Sequence, residues 1–197
     1  MESLVSTYFE FQYKPIGLFL NDFQIKQRRR EQSIKLEDFG IYNNAINNII
    51  IGKGGNAHVH LVKHEKTGKL FAIKAILKSQ LISEQQNQAL RHEISIHERI
   101  IHSNIIRLHS HLEDKEKHYL IMDYADAGNL YKKIMKSGKL SRDEAAFYFL
   151  QICKGIEFLH VNKLIHRDIK PENILLNRSN LIQICDLGWT TYYTKYR

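Results

Sequence analysis

In the stretch LIHRDIKPENILL, Leu164 to Leu176, an Asp, a Lys and an Asn crowd one short polar loop between two apolar flanks. Asp168 can accept or orient a hydroxyl proton, Lys170 can neutralise a migrating phosphoryl group, and the amide oxygen of Asn173 can ligate a hard cation. Asp186 supplies the carboxylate that such a cation needs. The flanks read as short strands or buried anchors, so a fixed scaffold presents the polar groups.

Upstream, GKGGNAHV (Gly52 to Val59) is a glycine-rich turn between two strand-like runs. Glycine lets backbone N–H groups come close to phosphate, although such a turn alone is equally a flexible hairpin. A dinucleotide fold would need a helix straight after the glycines, whereas a strand follows; the pattern G-x-x-x-x-G-K-[ST] is also absent. Next comes FAIK, which sets Lys74 inside an apolar strand. That lysine either snorkels to water or, if buried, needs an anionic partner, for which Glu93 is the candidate. Loop, lysine, base and metal ligands are together what phosphoryl transfer asks of a protein.

Positioning these groups takes two kinds of element. From Ile49 onward, short apolar runs (NIII, HVHLV, LFAIKAIL, IIRLHSHL, HYLIMDY) separated by turn residues predict an antiparallel sheet. One helix interrupts it: Ser83 and Gln86 form a capping box, and Leu90, Ile94, His97 and Ile101 recur at helical spacing. After DYADAGNLYKKIMKSGKL the pattern turns helical, with Ser141 and Glu144 as a second capping box and Phe149, Ile152, Cys153, Ile156 and Leu159 as the apolar stripe. NILL and LIQIC, around a break at Arg178 to Asn180, read as a hairpin.

The 197 residues suffice for one sizeable domain or two small lobes, and 43% hydrophobic content excludes wholesale disorder. A net charge of +8 suits nucleic acid, an acidic membrane face or a polyphosphate, and does not choose among them. Cys153 and Cys185 show no metal-ligand spacing and read as reduced thiols; Cys185, beside Asp186, is either a small buried side chain or a target for an alkylating ligand. The pairs His58/His60 and His109/His111 alternate at strand spacing but lack a carboxylate or Cys cluster. No run approaches the roughly 18 apolar residues of a membrane span, and the N-terminus makes a poor secretory signal, so a soluble intracellular protein is expected. Residues 1–34, with the basic run Arg28 to Arg30, stand apart as an extension for which disorder, a solvated helix surface and an acidic-partner patch are all open.

The ordered series of Gly-rich loop, FAIK, HRDIKPEN and D-L-G resembles the eukaryotic protein kinases, and IKPEN resembles the serine/threonine branch. More narrowly, LEDF (Leu36 to Phe39), LRHEI, HSNIIRLH and Trp189 directly after the Asp-Leu-Gly are similar to the Aurora family. The resemblance implies an α+β fold: an antiparallel N-lobe with one αC-type helix (35–122), a hinge (123–128) and the first part of a mainly helical C-lobe (129–197). It implies ATP and Mg2+ as cofactors, a protein substrate with a Ser/Thr acceptor and room for an activating protein partner, with neither nucleic acid nor membrane engaged. Cytoplasm, nucleus or spindle and centrosome follow from the family alone.

Carried onto this sequence, the resemblance makes Asp168 the catalytic base, with Lys170 beside it, and Asn173 and Asp186 the magnesium ligands. Gly52, Lys53, Gly54, Lys74, Glu93 and Glu172 belong to the nucleotide site; Lys74 contacts the α/β-phosphates and pairs with Glu93. Met122 is the gatekeeper, backbone groups of Asp123 and Ala125 read adenine, Val59, Ala72 and Leu175 sandwich the ring, and Arg167 meets an activation-loop phosphate.

Four departures qualify the pattern. Ala57 stands at the third loop glycine, Leu187 replaces the D-F-G Phe, and GIYNNAINNIII lengthens the approach to the first strand. The sequence also stops at Arg197, before the family's activation-loop threonine and A-P-E. A fragment or truncated product is therefore expected, with apolar surface bare on the AAFYFLQICKGIEFLH helix. The alternative to a phosphotransferase is a kinase-derived module that binds nucleotide or a partner without transfer.

Overall fold

The computed structural model describes residues 17–31, 34–41, 49–54 and 57–193. Its centre is a five-stranded antiparallel sheet in the order β2-β3-β4-β7-β6, from β2 (Ile49–Lys53), β3 (Ala57–Lys63), β4 (Leu70–Leu77), β6 (Leu108–Glu113) and β7 (Lys117–Asp123). Strand β4, LFAIKAIL, is buried on both faces, which suits its β-branched and aromatic content. Side chains alternate across a strand, so Phe71, Ile73 and Ala75 enter a core with Phe39, Ile41, Val62, Tyr119 and Ile121. Ala72, Lys74 and Ile76 point the other way. On that side Ile76, Leu108 and Leu120 pack against Leu90 and Ile94 of helix α2 (Glu84–His97).

Helix α2 starts at the expected capping box: the Ser83 side chain accepts from the Gln86 N–H, and the Gln86 side chain accepts from the Ser83 N–H. It ends earlier than the sequence periodicity suggests. Glu98 is its C-cap, and Ile101 lies in β5 (Ile100–His102), which pairs with β1 (Gly17–Phe19) through Leu18↔Ile101. The short strand pairing removes Ile101 from the helical run. Residues 17–31, part of the 1–34 extension expected to stand apart, are instead packed on the rest of the fold, with Phe19 against the core of the helical half. Helix α1 (Asp22–Glu31) follows β1, Ile25 is buried, and the Leu20 N–H donates to the Arg99 carbonyl at 2.7 Å. Residues 1–16 and 42–48, which include the lengthened approach to β2, lie outside the described residues.

The helical half contains α3 (Leu130–Ser137) and α4 (Arg142–Val161), the latter capped by Ser141 and Glu144 as expected. The buried face of α4 differs from the expected stripe. Tyr148, Gln151, Gly155, Phe158 and Leu159 face inward, while Phe149 is 67% exposed and Cys153 is also exposed. An apolar count misses this face because two of its members are not apolar. Gln151 Oε1 accepts from the Ile182 N–H (3.1 Å) and Asn104 Nδ2 (3.2 Å), and Gly155 lies so close to Asn104 and Ile184 that a Cβ would meet Ile184 Cδ1 at 2.8 Å. The outer face bears exposed Phe147, Phe149 and Leu150, the bare apolar surface that the sequence suggests.

Two short antiparallel pairs complete this half: β8 (Leu164–Ile165) with β11 (Thr191–Tyr192), and β9 (Ile174–Leu176) with β10 (Ile182–Ile184). The latter is the expected hairpin, turned at Asn180 with φ 57°. No helix among the described residues is long and apolar enough to cross a membrane. Replacing Gln151 by Leu would add apolar burial but orphan the Ile182 N–H. We expect Gln151→Leu to lower stability by about 1–3 kcal/mol, read from the urea midpoint, since an unpaired buried donor costs more than the gained area returns.

Candidate functional site

A cleft of about 610 Å³ lies between the sheet and the helical half. Every residue expected to touch nucleotide or metal lines it: Gly52, Lys53, Gly54, Val59 and Ala72 from the first strands, and Lys74 and Glu93 at the back. Met122, Asp123 and Ala125 form the connecting edge, with Glu172, Asn173, Leu175 and Asp186 below. The alternation along β4 presents Ala72 and Lys74 to the cleft. The glycine turn is closed by the Gly54 N–H donating to the Ala57 carbonyl at 2.8 Å, while Gly55 and Asn56 lie outside the described residues. Ala57 is an ordinary strand residue here, paired with Ile76.

At the back, Lys74 Nζ sits 2.9 Å from Glu93 Oε1, with both side chains largely buried. Burial alone would pull the lysine pKa down, but the charges of Glu93 and Asp186 outweigh it and hold Lys74 above its ordinary value. The ammonium stays charged where an anion would enter. His97, the last residue of α2, also lines the cleft; its Nε2 lies 2.8 Å from the Ile106 carbonyl. Burial lowers the His97 pKa, so the ring is neutral and Nε2 is the donor.

The loop that carries Asp168 is tied through His166. Its Nδ1 accepts from the Asp168 N–H at 3.2 Å, so Nε2 carries the proton donated to the Cys185 carbonyl at 3.1 Å. Burial pushes this histidine's pKa down, in keeping with a neutral ring. One imidazole thus links the loop of Asp168 to the strand end before Asp186. Lys170 Nζ donates to Asp168 Oδ2 at 2.7 Å, and Asn173 Nδ2 donates to the same oxygen at 2.9 Å and to the Asp168 carbonyl at 3.0 Å. The bond from Lys170 holds the Asp168 carboxyl below the usual range against the opposing effect of burial, with the Lys170 charge and the bond from Asn173 adding to it. Asp168 and Lys170 do not line the cleft wall; Asn173 bridges them to it.

With its amide nitrogen committed to Asp168, Asn173 has its oxygen left for a ligand. Asp186 sits in left-handed backbone (φ 62°, ψ 78°), an uncommon conformation for a non-glycine residue and one often kept at sites of function. Two oxygen donors of this kind fit a hard cation, whose remaining positions phosphate oxygens and water can fill. Among the described residues no group of three or more His, Cys, Asp or Glu is placed to hold a metal. Leu187 is fully buried in the same core as Ile96, showing that the apolar swap at this position packs. Arg167 Nε donates to the Trp189 carbonyl at 2.6 Å.

Sequence reasoning missed Ile51, Ile106, Tyr124, Gly128, Asn129 and Lys132 in the lining. Asn129 was legible as a cap: its side chain accepts from the Lys132 N–H at 2.9 Å, which seats Lys132 at the mouth. His97 follows Glu93 by one helical turn, a spacing that could have placed it in the cleft.

Residues 45–197 match the protein kinase domain family, and the chain belongs to that family. Its members use ATP and Mg2+ and act on protein substrates. Among similar curated proteins, the Aurora kinase of Schizosaccharomyces pombe is 38% identical over 142 residues, covering 72% of this chain and 40% of that protein. Aurora kinase B of Xenopus tropicalis is 33% identical over 147 residues, covering 75% of this chain and 41% of that protein. Serine/threonine-protein kinase Aurora-1 of Arabidopsis thaliana is 36% identical over 142 residues, covering 72% and 48% respectively. The chain therefore spans less than half the length of each of these relatives.

Cys185 lines the cleft, yet burial, reinforced by Asp186, pushes its thiol up to about 12. Only the thiolate reacts, and its fraction falls about tenfold for each unit that pH lies below the pKa. Iodoacetamide at pH 8 should therefore label exposed Cys153 first, as read by peptide mass spectrometry; comparable rates at both cysteines would contradict this environment.

Proposed function

We propose that the cleft binds ATP with Mg2+ and that this catalytic apparatus transfers the γ-phosphoryl group to Ser/Thr hydroxyls of proteins, in the manner of an Aurora-like kinase. The observation that carries the reading is the Lys74–Glu93 pair at 2.9 Å, which sets a charged ammonium facing the same cleft as Asp186 and Asn173. In this reading Gly52, Lys53 and Gly54 cover the phosphates, Lys74 binds them, and Met122, Asp123 and Ala125 edge the adenine. Val59, Ala72 and Leu175 lie on its faces, and Glu172 lines the mouth. The domain divides into 35–122, a hinge at 123–128, and 129–197.

Asp168, pinned by Lys170 and Asn173, accepts or orients the substrate hydroxyl; Lys170 is placed to offset charge on the group in transit. Asp186 and Asn173 would hold magnesium, which neutralises charge on the phosphate oxygens when bound. Because Lys170 holds the Asp168 carboxyl below the ordinary Asp value of about 3.9, the carboxylate stays ionised throughout the neutral range. A protein substrate and a protein activator are the partners this reading calls for.

The test is Mg2+-dependent transfer from labelled ATP to a Ser/Thr peptide, alongside Mg·ADP binding. Asp168→Asn should lower kcat by roughly 10²–10⁴ with Mg·ADP affinity retained, and Asp186→Ala should remove transfer. A transfer rate unchanged by Asp186→Ala refutes the assignment. Mg·ADP binding with no transfer by any form would favour the nucleotide-binding module instead.

A further inference from the structure

Helix α2 carries Glu93 to Lys74, so whatever fixes the C-terminal end of α2 fixes the back of the cleft. That end presents helix carbonyls with no intrahelical partner, which must be satisfied from outside. The Arg28 guanidinium, from α1, donates to the carbonyl of Glu98, the α2 C-cap, at 3.2 Å. It donates also to the carbonyls of Leu108 and of His109, the latter at 2.9 Å. The register of β6 on β7 slips between Leu108 and Ser110, and Leu108 lies opposite Met122. Arg28 thus reaches a β-bulge, where a ladder leaves one residue without a strand partner.

We propose that Arg28 is a positioning residue for the nucleotide cleft, clamping the C-terminus of α2 to the β6 bulge beside Met122 and so holding Glu93 against Lys74; this rests on the nucleotide reading of the cleft. Three carbonyls from two elements converge on one planar fork, a geometry that Arg fits and Lys does not. A cation at a helix C-terminus is also favoured by the helix dipole. The surrounding contacts hold α1 in register: Arg29 pairs with Glu98 at 2.6 Å, Arg99 pairs with Asp22, and β1 pairs with β5. The basic run that looks like a solvated surface in sequence therefore includes an internal clamp. Its action runs through Glu98, five residues beyond Glu93, and through no contact with the cleft itself.

The experiment compares the 197-residue chain with Arg28→Ala and Arg28→Lys. Amide hydrogen exchange is followed without nucleotide over 84–97 and over β4 and β7, and Mg·ADP affinity is measured in both Glu93 and Glu93→Gln backgrounds. Arg28→Ala should raise exchange in 84–97 by about tenfold with β4 and β7 unchanged, and Arg28→Lys should fall between. Mg·ADP affinity should drop by about tenfold in Arg28→Ala, a loss that largely disappears when Glu93 is already Gln. Unchanged exchange in 84–97, or an equal affinity loss in both backgrounds, overturns the proposal. Absence of Mg·ADP binding by the unmodified chain would instead remove the nucleotide reading, and the exchange comparison would then decide the clamp. Should Arg28→Ala not melt cooperatively, Arg28→Lys, which keeps the charge, carries the same comparison.

Discussion

The ion pair between Lys74 and Glu93 is the constraint around which the upper half is organised. Each charge would cost several kcal/mol to bury alone, and removing one partner of such a buried pair typically costs about 3–5 kcal/mol. The pair forms only if three independent alignments hold together. The β4 pleat must turn Lys74 away from the Phe71–Ile73–Ala75 core; α2 must aim Glu93 inward with Leu90 and Ile94; and the helix must lie at the right depth over β4 and β6. Ser83 and Gln86 set one end of the helix, and His97 with Glu98 sets the other.

Below the cleft the organising group is neutral. His166 accepts at one nitrogen from the Asp168 backbone and donates at the other to the Cys185 carbonyl, so it can serve only as an uncharged single tautomer. Its burial supplies that condition by lowering its pKa. A charged pair fixes the back wall and an uncharged ring fixes the floor. The difference follows chemistry: the back wall presents a charged ammonium suited to an anion, whereas the ring only relays backbone geometry between Asp168 and Asp186.

Most of this was legible where one residue type carried one signal. The apolar run LFAIKAIL predicted the strand that holds the lysine, both capping boxes formed, and the polar loop converged on Asp168 through Lys170 and Asn173. Reading failed where a position's role came from tertiary contact rather than hydropathy. Gln151 and Gly155 are buried because Asn104, Ile182 and Ile184 demand an acceptor and a close approach, so the expected α4 stripe held at Ile152, Ile156 and Leu159 but missed these two and wrongly included Phe149 and Cys153. Arg28 looked like solvent-facing charge because nothing local announces that three distant carbonyls await it.

Asn104 carries one more consequence. Its amide nitrogen reaches Gln151 Oε1 and the Ile182 carbonyl, its own carbonyl accepts from the Ile184 N–H, and the Ile106 N–H donates to Ile184 in turn. The short segment between α2 and β6 is therefore stitched into the lower half through the single parallel bridge Ile105↔Ile184, although it belongs in sequence to the upper one. The two halves are joined along several lines among the described residues: this one behind the cleft, Ile96 of α2 in one core with Leu187, the His102 ring stacked on Phe158, and the run after Met122 along the cleft edge. Turning one half against the other about the Met122 edge would therefore break the bonds of Asn104 and Ile106 to the β9–β10 hairpin, so the rear of the cleft resists that rotation.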